Sequence, residues 1–379
     1  MAVAELFNPL TGPAAGWPES AALERSVLTA FCRLGSTALI ANLRTTVRGL
    51  LSEGRVLPVT LNGAEYGDAY VCLPHSAYGL YAKAELDIVD TGPWRPALAL
   101  LADGAGAVLK AARVNRIVHI NNWMLSTNLH NGWTGADIAA LRATLTAAYP
   151  EHFLAVRSVT TWSDPALAGA LRADGWQLVP SRQIYVTDDP ARDWLPTRDA
   201  KNDLRLLARS PYAVDEMTEF RPGDAARIAE LYAQLYLRRY SPLNPAFTAA
   251  FMELAQRSGM LRFLGVRDGQ GTLMAVAGCF RRGGVLTTPV LGYDTSRPQR
   301  DGLYRIACTL LTRLAMQTGA RLNGSAGAAG FKMLRGAKPV IEYTAFYARH
   351  LPAPRRLTIT ALETILNRIA VPLMQARGL

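Results

Sequence analysis

The chain has 379 residues, about twice the usual size of a single domain, so two domains or two fused lobes are expected. Half of the residues are hydrophobic and only 19% are charged, which excludes a disordered or low-complexity chain. The net charge of +11 favours anionic partners, but the basic residues are dispersed rather than gathered in one arm, which weighs against nucleic acid.

In chain order, the start MAVAELFNPLTG has no basic segment followed by an apolar run, so no leader is expected. Residues 21–51 read as one helix. The segment Tyr70-Val-Cys-Leu-Pro74 reads as a short strand, followed by helices over 78–89 and 93–112. A clear alternation comes next: strand 115–125, polar loop 128–135, helix 136–149, strand 153–159, helix 164–174 and strand 177–186. Apolar residues at Ile138, Leu141 and Leu145 carry the helical spacing, and Gly175 stops the next helix. A polar stretch, 187–200, reads as a linker, and 201–209 as a short basic helix.

The second half runs strand 212–220, helices 224–239 and 245–258, strand 261–267, a turn at 268–271, then strands 273–281 and 285–293. Arg282-Gly-Gly284 between the last two is a hairpin signal. A polar loop, 294–302, leads into helix 303–318, strand 320–324, a short helix 328–334, strand 340–348 and an amphipathic tail helix, 357–375. The same order of elements covers 115–186 and 285–348, so an internal duplication of architecture is expected. The fold class is α/β (α+β), with two lobes, each a mixed central sheet flanked by helices. Expected bounds are 1–60 for an N-terminal helical segment, 61–187 for the first lobe, 188–209 for the linker, 210–352 for the second lobe and 353–379 for the tail helix.

Cys32, Cys72, Cys279 and Cys308 form no CxxC pair and sit among apolar neighbours, so buried free thiols are expected. The five histidines show no HxH or HExxH spacing, and no metal is expected. No segment reaches the roughly 18 uninterrupted apolar residues of a spanning helix. These features lead to the expectation of a cytoplasmic protein, with peripheral membrane contact through the tail left open and the oligomeric state unassigned. No Ser-His-Asp spacing, GxSxG or Walker loop is present.

The segment richest in chemistry is Leu291-Gly-Tyr-Asp-Thr-Ser-Arg-Pro-Gln-Arg-Asp-Gly-Leu-Tyr304. A strand ends, a basic loop turns and a long helix begins, which offers free backbone N–H groups and the positive end of a helix dipole to an anion. Arg297 and Arg300 add charge. An ordinary strand-to-helix connection has the same texture.

Gln299-Arg-Asp-Gly302-Leu-Tyr304 resembles the Q/R-x-x-G-x-G/A pyrophosphate loop of the GNAT superfamily of acyltransferases, with Tyr304 where that family has a small residue. The order of elements over 212–348 is similar to the same fold. The stretch from Asn323 to Gly336, with Phe331-Lys332 before a glycine turn, resembles the tandem group of Fem-type transferases and the acetyltransferases found beside bacterial cellulose synthesis. The small residues 324–330 would admit a ligand close to backbone or permit tight helix-on-strand packing.

The resemblance implies an acyltransferase with acyl-CoA as co-substrate, acetyl-CoA being the expected donor. An amine or hydroxyl of a small molecule or glycan would attack the thioester directly. Fem-type transfer from charged tRNA and a non-catalytic binding protein on the same fold are the alternatives. On this reading Leu291, Gly292, Tyr293, Arg297, Gln299, Arg300, Gly302, Leu303, Asn323 and Lys332 hold the cofactor. Glu342 is the candidate base and Asp294 the second. Phe331 stands where many relatives have an acidic tyrosine, so Tyr304, with Tyr293 beside it, is the substitute proton donor. Asn122, Trp123, Tyr236 and Arg239 are candidate acceptor-binding residues. Plain packing, or for Glu342 a pairing with arginine, is the competing account of these positions.

Overall fold

The computed structural model describes residues 4–81, 83 and 95–377. They form two compact units: unit 1 is Met1–Arg182, Leu243–Ala246 and Ile341–Arg377, and unit 2 is Gln183–Pro242 and Phe247–Val340. These bounds are not the expected ones. Residues 341–377, placed by sequence with the second lobe and a separate tail, group with unit 1.

The sheet of unit 1 contains β1 (Glu5–Phe7), β2 (Thr46–Ser52), β3 (Arg55–Asn62), β4 (Ile117–Ile120), β5 (Phe153–Val159) and the first part of β6 (Gln177–Thr187). The last strand of the chain, β12 (Lys338–Tyr347), lies between β5 and β6. β4 and β5 are parallel, and β12 runs antiparallel to β5. The helices of this unit are α1 (Ala22–Leu34), α2 (Arg95–Ala111), α3 (Ile138–Ala148) and α4 (Pro165–Ala173). α3 and α4 seal one face of the sheet through Ile138, Leu141, Leu145, Leu167 and Leu171, packed on Val118, Ile120, Leu154 and Val156. The other face buries Ile117, Phe153, Ala155, Val179 and Phe346 under Tyr78 and Leu109. Strand residues alternate between the two clusters, as the two-residue period requires.

Three sequence expectations are corrected in unit 1. Residues 21–51 are not one helix: Gly35, at φ 83°, ends α1, and β2 and β3 follow as a hairpin. Its turn is Glu53-Gly54, both at positive φ, the conformation that matches strand twist. Val47 and Leu50 point inward among arginines, which disguised a strand as an amphipathic helix. Residues 70–74 form a turn rather than a strand, with the N–H of Cys72 donating to the carbonyl of Ala69. Of the helix expected over 78–89, a π-helical turn, Ser76–Tyr81, is present; residues 82 and 84–89 lie outside the described residues, as do 93 and 94 of the next helix.

The sheet of unit 2 has the order end of β6, β11 (Arg321–Asn323), β10 (Val285–Tyr293), β9 (Leu273–Arg282), β8 (Arg262–Arg267), β7 (Ala213–Glu216). Its helices are α5 (Arg198–Arg209), α6 (Asp224–Tyr232), α7 (Ala249–Arg257), α8 (Leu303–Gln317) and α9 (Ala329–Met333). β9 and β10 are the expected hairpin, and β10 and β11 are parallel across the α8 crossover. Leu303, Ile306, Ala307, Leu310 and Leu314 of α8 pack on Leu264, Ala275, Ala277 and Leu291. The region 224–239 is α6 continued by a π-helical stretch, Ala233–Tyr240.

The expected duplication is visible in the order β4-α3-β5-α4-β6 against β10-α8-β11-α9-β12. Each repeat gives part of its third strand to the other unit: the end of β6 pairs with β11 in unit 2, and β12 pairs with β5 in unit 1.

The tail begins with α10 (Ala353–Ile365), whose Ile359 and Leu362 enter the second core of unit 1. The helical run Ala353–Ala376 is long and apolar enough to cross a membrane by length and composition, although it is no uninterrupted apolar run. Arg355, Arg356, Glu363 and Arg368 on it make it a weak candidate for a span.

Candidate active site

Unit 2 assembles the glycine loop as the sequence suggests. After β10 the chain turns through 294–298 and a single 3-10 turn, Gln299–Asp301, and enters α8 at Gly302. Gly302 takes φ 67° and ψ 23°, a left-handed conformation that side chains disfavour. A Cβ there would also lie 2.4 Å from Cδ2 of Leu206 on α5. The N–H of Gly302 donates to the carbonyl of Gln299, and that of Ile306 to Gly302. The N–H groups of Leu303, Tyr304 and Arg305 are the first-turn donors that an α-helix cannot satisfy within itself.

The loop is stapled from below. Asp301 accepts a 2.7 Å hydrogen bond from the Tyr212 hydroxyl and pairs with Arg297 at 3.0 Å. Those bonds hold its carboxyl below the usual range. Arg300 and Gln299 are exposed. Arg305 is drawn away from the loop to Asp203 on α5, which also receives Nε of Arg335, both at 2.6 Å.

The edge of β10 beside this loop is open. β10 pairs with β11 only from Val285 to Thr287. Beyond an irregularity between Thr287 and Val290, its remaining residues pair with β9 alone. Leu291 and Gly292 lie on this splayed part and are buried; Tyr293 is half-buried. Gly292 is required by α6: a Cβ would sit 2.6 Å from the backbone of Leu231 and Tyr232. Unpaired backbone at a strand edge supplies donors where a carbonyl oxygen would develop charge.

Three aromatic rings gather at the start of α8. Tyr304 lies 5.1 Å from Phe331 of α9 and 6.0 Å from Tyr293, centroid to centroid. Burial pushes the Tyr304 phenol far up, so the hydroxyl stays neutral and is a weak acid. The place left without a tyrosine at Phe331 is therefore bordered by one.

Asp294 begins the loop. Burial raises its carboxyl, but hydrogen bonds from Ser296 and Arg227 outweigh this and hold it below the ordinary value. The Arg227 contact is 2.6 Å. A carboxylate so stabilised has little appetite for a proton, which weakens Asp294 as a base. It lines a cleft of about 550 Å3 with Gln234, Arg238, Arg239, Thr295 and Ser296. Gln234 fixes the cleft wall by accepting from both the N–H and the hydroxyl of Thr295. Arg239 reaches the Tyr293 hydroxyl at 3.5 Å, and Tyr236 stacks on Tyr232 at 4.9 Å. Arg239 is exposed on the cleft, whereas Tyr236 is largely a packing residue.

Lys332 and Asn323 have structural tasks. Nζ of Lys332 donates to the carbonyls of Ser325 and Ala326, closing a loop in which Ser325 and Ala328 hold positive φ. Asn323 is buried and accepts from the N–H of Ser325. Neither is directed at an incoming phosphate by these bonds.

Glu342 belongs to unit 1, not to the unit of the loop. It is 3% exposed, and both carboxylate oxygens are engaged by Arg182, at 2.8 and 3.2 Å. The arginine-paired account of this residue is the one the geometry supports. Asn122 and Trp123, also in unit 1, are fully buried. The Asn122 amide donates to Thr60 and Val71, and the Trp123 indole to Asn121. They brace the loop after β4, and side chains so enclosed do not meet an acceptor.

Asp203, Tyr212 and Gln234 are the supporting residues that sequence reading overlooked. Their long-range partners leave no local signal, although an aspartate on the inner side of the basic helix 201–209 was the one visible anomaly. Among the described residues, no group of three His, Cys, Asp or Glu side chains is placed to hold a metal.

Residues 197–338 match the family model described as acetyltransferase (GNAT) domain. The loop, the open β10 edge and the α8 crossover all fall within that match. No curated protein matches at the sequence level. Solved structures of similar outline include L-PGS from Bacillus licheniformis, with 11% identity, TM-score 0.47, 65% of this chain and 82% of that one. FemX is similar at 10% identity, TM-score 0.44, 58% and 78%. A tandem GNAT protein from the clavulanic acid biosynthesis pathway has 14% identity, TM-score 0.41, 91% and 92%.

Proposed function

We propose that unit 2 binds acyl-CoA, with acetyl-CoA as the expected donor, and transfers the acyl group to an amine or hydroxyl of a small molecule or glycan by direct attack. One observation carries the reading: a left-handed Gly302 opens a 15-residue helix with three outward N–H donors, inside the stretch matched by the GNAT model. That terminus would take the pyrophosphate, with Arg300 as the added cation. The unpaired edge of β10 would receive the thioester oxygen, and Tyr304 would return a proton to the leaving thiolate. With Glu342 and Asp294 both held by arginine, the attacking group would lose its proton to solvent or to a group of the acceptor itself.

We place the protein in the cytoplasm; four free cysteines support a reducing compartment.

The test is calorimetric titration with CoA and acetyl-CoA, using Arg300→Glu as the comparison. Arg300 is exposed, so its reversal spares the fold, whereas any side chain at Gly302 strains it. Binding by the intact protein, weakened about tenfold by the reversal, is the expected result. No binding by the intact protein would overturn the CoA reading and favour charged tRNA, which the +11 charge also suits.

A further inference from the structure

In unit 1, two neighbouring arginines share one buried carboxylate. Arg157, on β5, is 8% exposed, and Arg182, on β6, lies near it with a side chain 19% exposed. The carboxylate that acts on both is Glu342, and Arg182 holds its two oxygens. Among the described residues, Arg157 has no carboxylate in ion-pair contact. Burial pulls its guanidinium below the ordinary arginine value, with Tyr70 and Glu342 compensating only from a distance.

The hydrogen bonds of Arg157 are long and incomplete. Nη1 donates to Oδ1 of Asn122 at 3.3 Å and to the carbonyl of Leu125 at 3.2 Å; Nη2 donates to the carbonyl of Ser126 at 3.4 Å. A guanidinium has five N–H groups, so three bonds leave that of Nε and one of Nη2 without an acceptor. These two nitrogens form one edge of the fork, the edge that meets an oxyanion through two parallel bonds. A second unsatisfied group shares the face: Nδ1 of His119 is buried without a partner. His119 pairs with Ala155 across β4 and β5, two residues before Arg157, so both side chains leave the sheet on the same side.

We propose that Arg157 anchors an oxyanion-binding site in unit 1, which takes the carboxylate or phosphate oxygens of a small ligand on the Nε–Nη2 edge of its guanidinium. An anion there would give Arg157 the close counter-ion it lacks and engage the Nε and Nη2 donors as a pair. Arg157 belongs to unit 1 and the CoA loop to unit 2.

The test is thermal unfolding of the full chain carrying Arg300→Glu, which removes the exposed cation of the unit 2 loop. Sodium acetate and inorganic phosphate are titrated separately, with sodium chloride holding ionic strength constant. A saturable rise in midpoint with either anion is expected, and the anion that produces it identifies the source. Arg157→Met should abolish the rise without lowering the anion-free midpoint, because it removes a charge that lacks a counter-ion. Arg157→Lys keeps the charge but not the fork, and should weaken half-saturation at least tenfold. No rise with either anion overturns the proposal, as does a rise that survives both substitutions. An anion-free midpoint that falls in Arg157→Met, with no anion dependence in the parent, would make Arg157 a brace for the loop 122–126 and nothing more.

Discussion

Gly302 joins two demands in one residue. Its backbone must be left-handed, and its missing side chain leaves room for Leu206. Gly302→Ala should therefore lower stability by about 1–2 kcal/mol from conformation alone, and more from the clash, as read by urea unfolding. CoA affinity should fall with it, since α8 can no longer start where it does. Tyr304→Phe separates chemistry from binding: the hydroxyl is lost and the ring remains. If Tyr304 supplies the proton to the thiolate, kcat should drop about a hundredfold with CoA affinity unchanged. An unchanged kcat would leave the phenol a packing residue. The loop residues were legible because their signal is local: glycine, arginines and a strand-to-helix junction lie within 14 positions. Glu342 was not, since its partner Arg182 stands 160 residues away in sequence.

At the scale of elements, α5 is the strut of the candidate site. Asp203 on it is 1% exposed and ties Arg305 of α8 to Arg335, just after α9. Asp203→Ala would take the 2.6 Å carboxylate from both arginines, leaving the nearly buried Arg335 only Asp199 at 3.7 Å. A loss of about 3 kcal/mol in urea unfolding is expected, with hydrogen exchange accelerated in α8 before the β8–β9 hairpin. The reading of 201–209 as a basic lead-in helix located this strut but not its use, because helical periodicity reports which face is apolar and not which charge is buried. Periodicity did suffice for α3, where Ile138, Leu141 and Leu145 recur at helical spacing and all enter the core. It failed over 46–52, where alternation was short and interrupted by arginine, and only the Glu53-Gly54 turn marked a hairpin.

At the scale of the molecule, the two units should answer differently to acid. All five histidines lie in unit 1, and four of them, His75, His119, His152 and His350, are held below their ordinary value, chiefly by burial. His152 is lowered to about 4. Groups with depressed histidine pKa values fold as the neutral form, so the unfolded chain binds more protons below about 6.5. Their contribution is whole above that value and is lost as pH falls from about 6.5 towards 4. Hydrogen exchange at pH 7.5 and pH 5 should show β4 and β5 losing protection while β8 and β9 keep theirs. The exchange of third strands between repeats was not readable from the order of elements, which is identical whether β6 and β12 stay with their own repeat or trade places. Only the pairing partners distinguish the two, and these are set by contacts far apart in the chain.

The four thiols are divided evenly, Cys32 and Cys72 in unit 1 and Cys279 and Cys308 in unit 2. Burial raises all of them, to about 11 for Cys72 and Cys308 and about 12 for Cys279. In the native state they are poor nucleophiles, and the buried Cys72 and Cys279 will react with an alkylating reagent only through opened forms. Each unit thereby carries its own built-in clock: the mass of the labelled peptide tells which half of the molecule came apart first, with no residue changed.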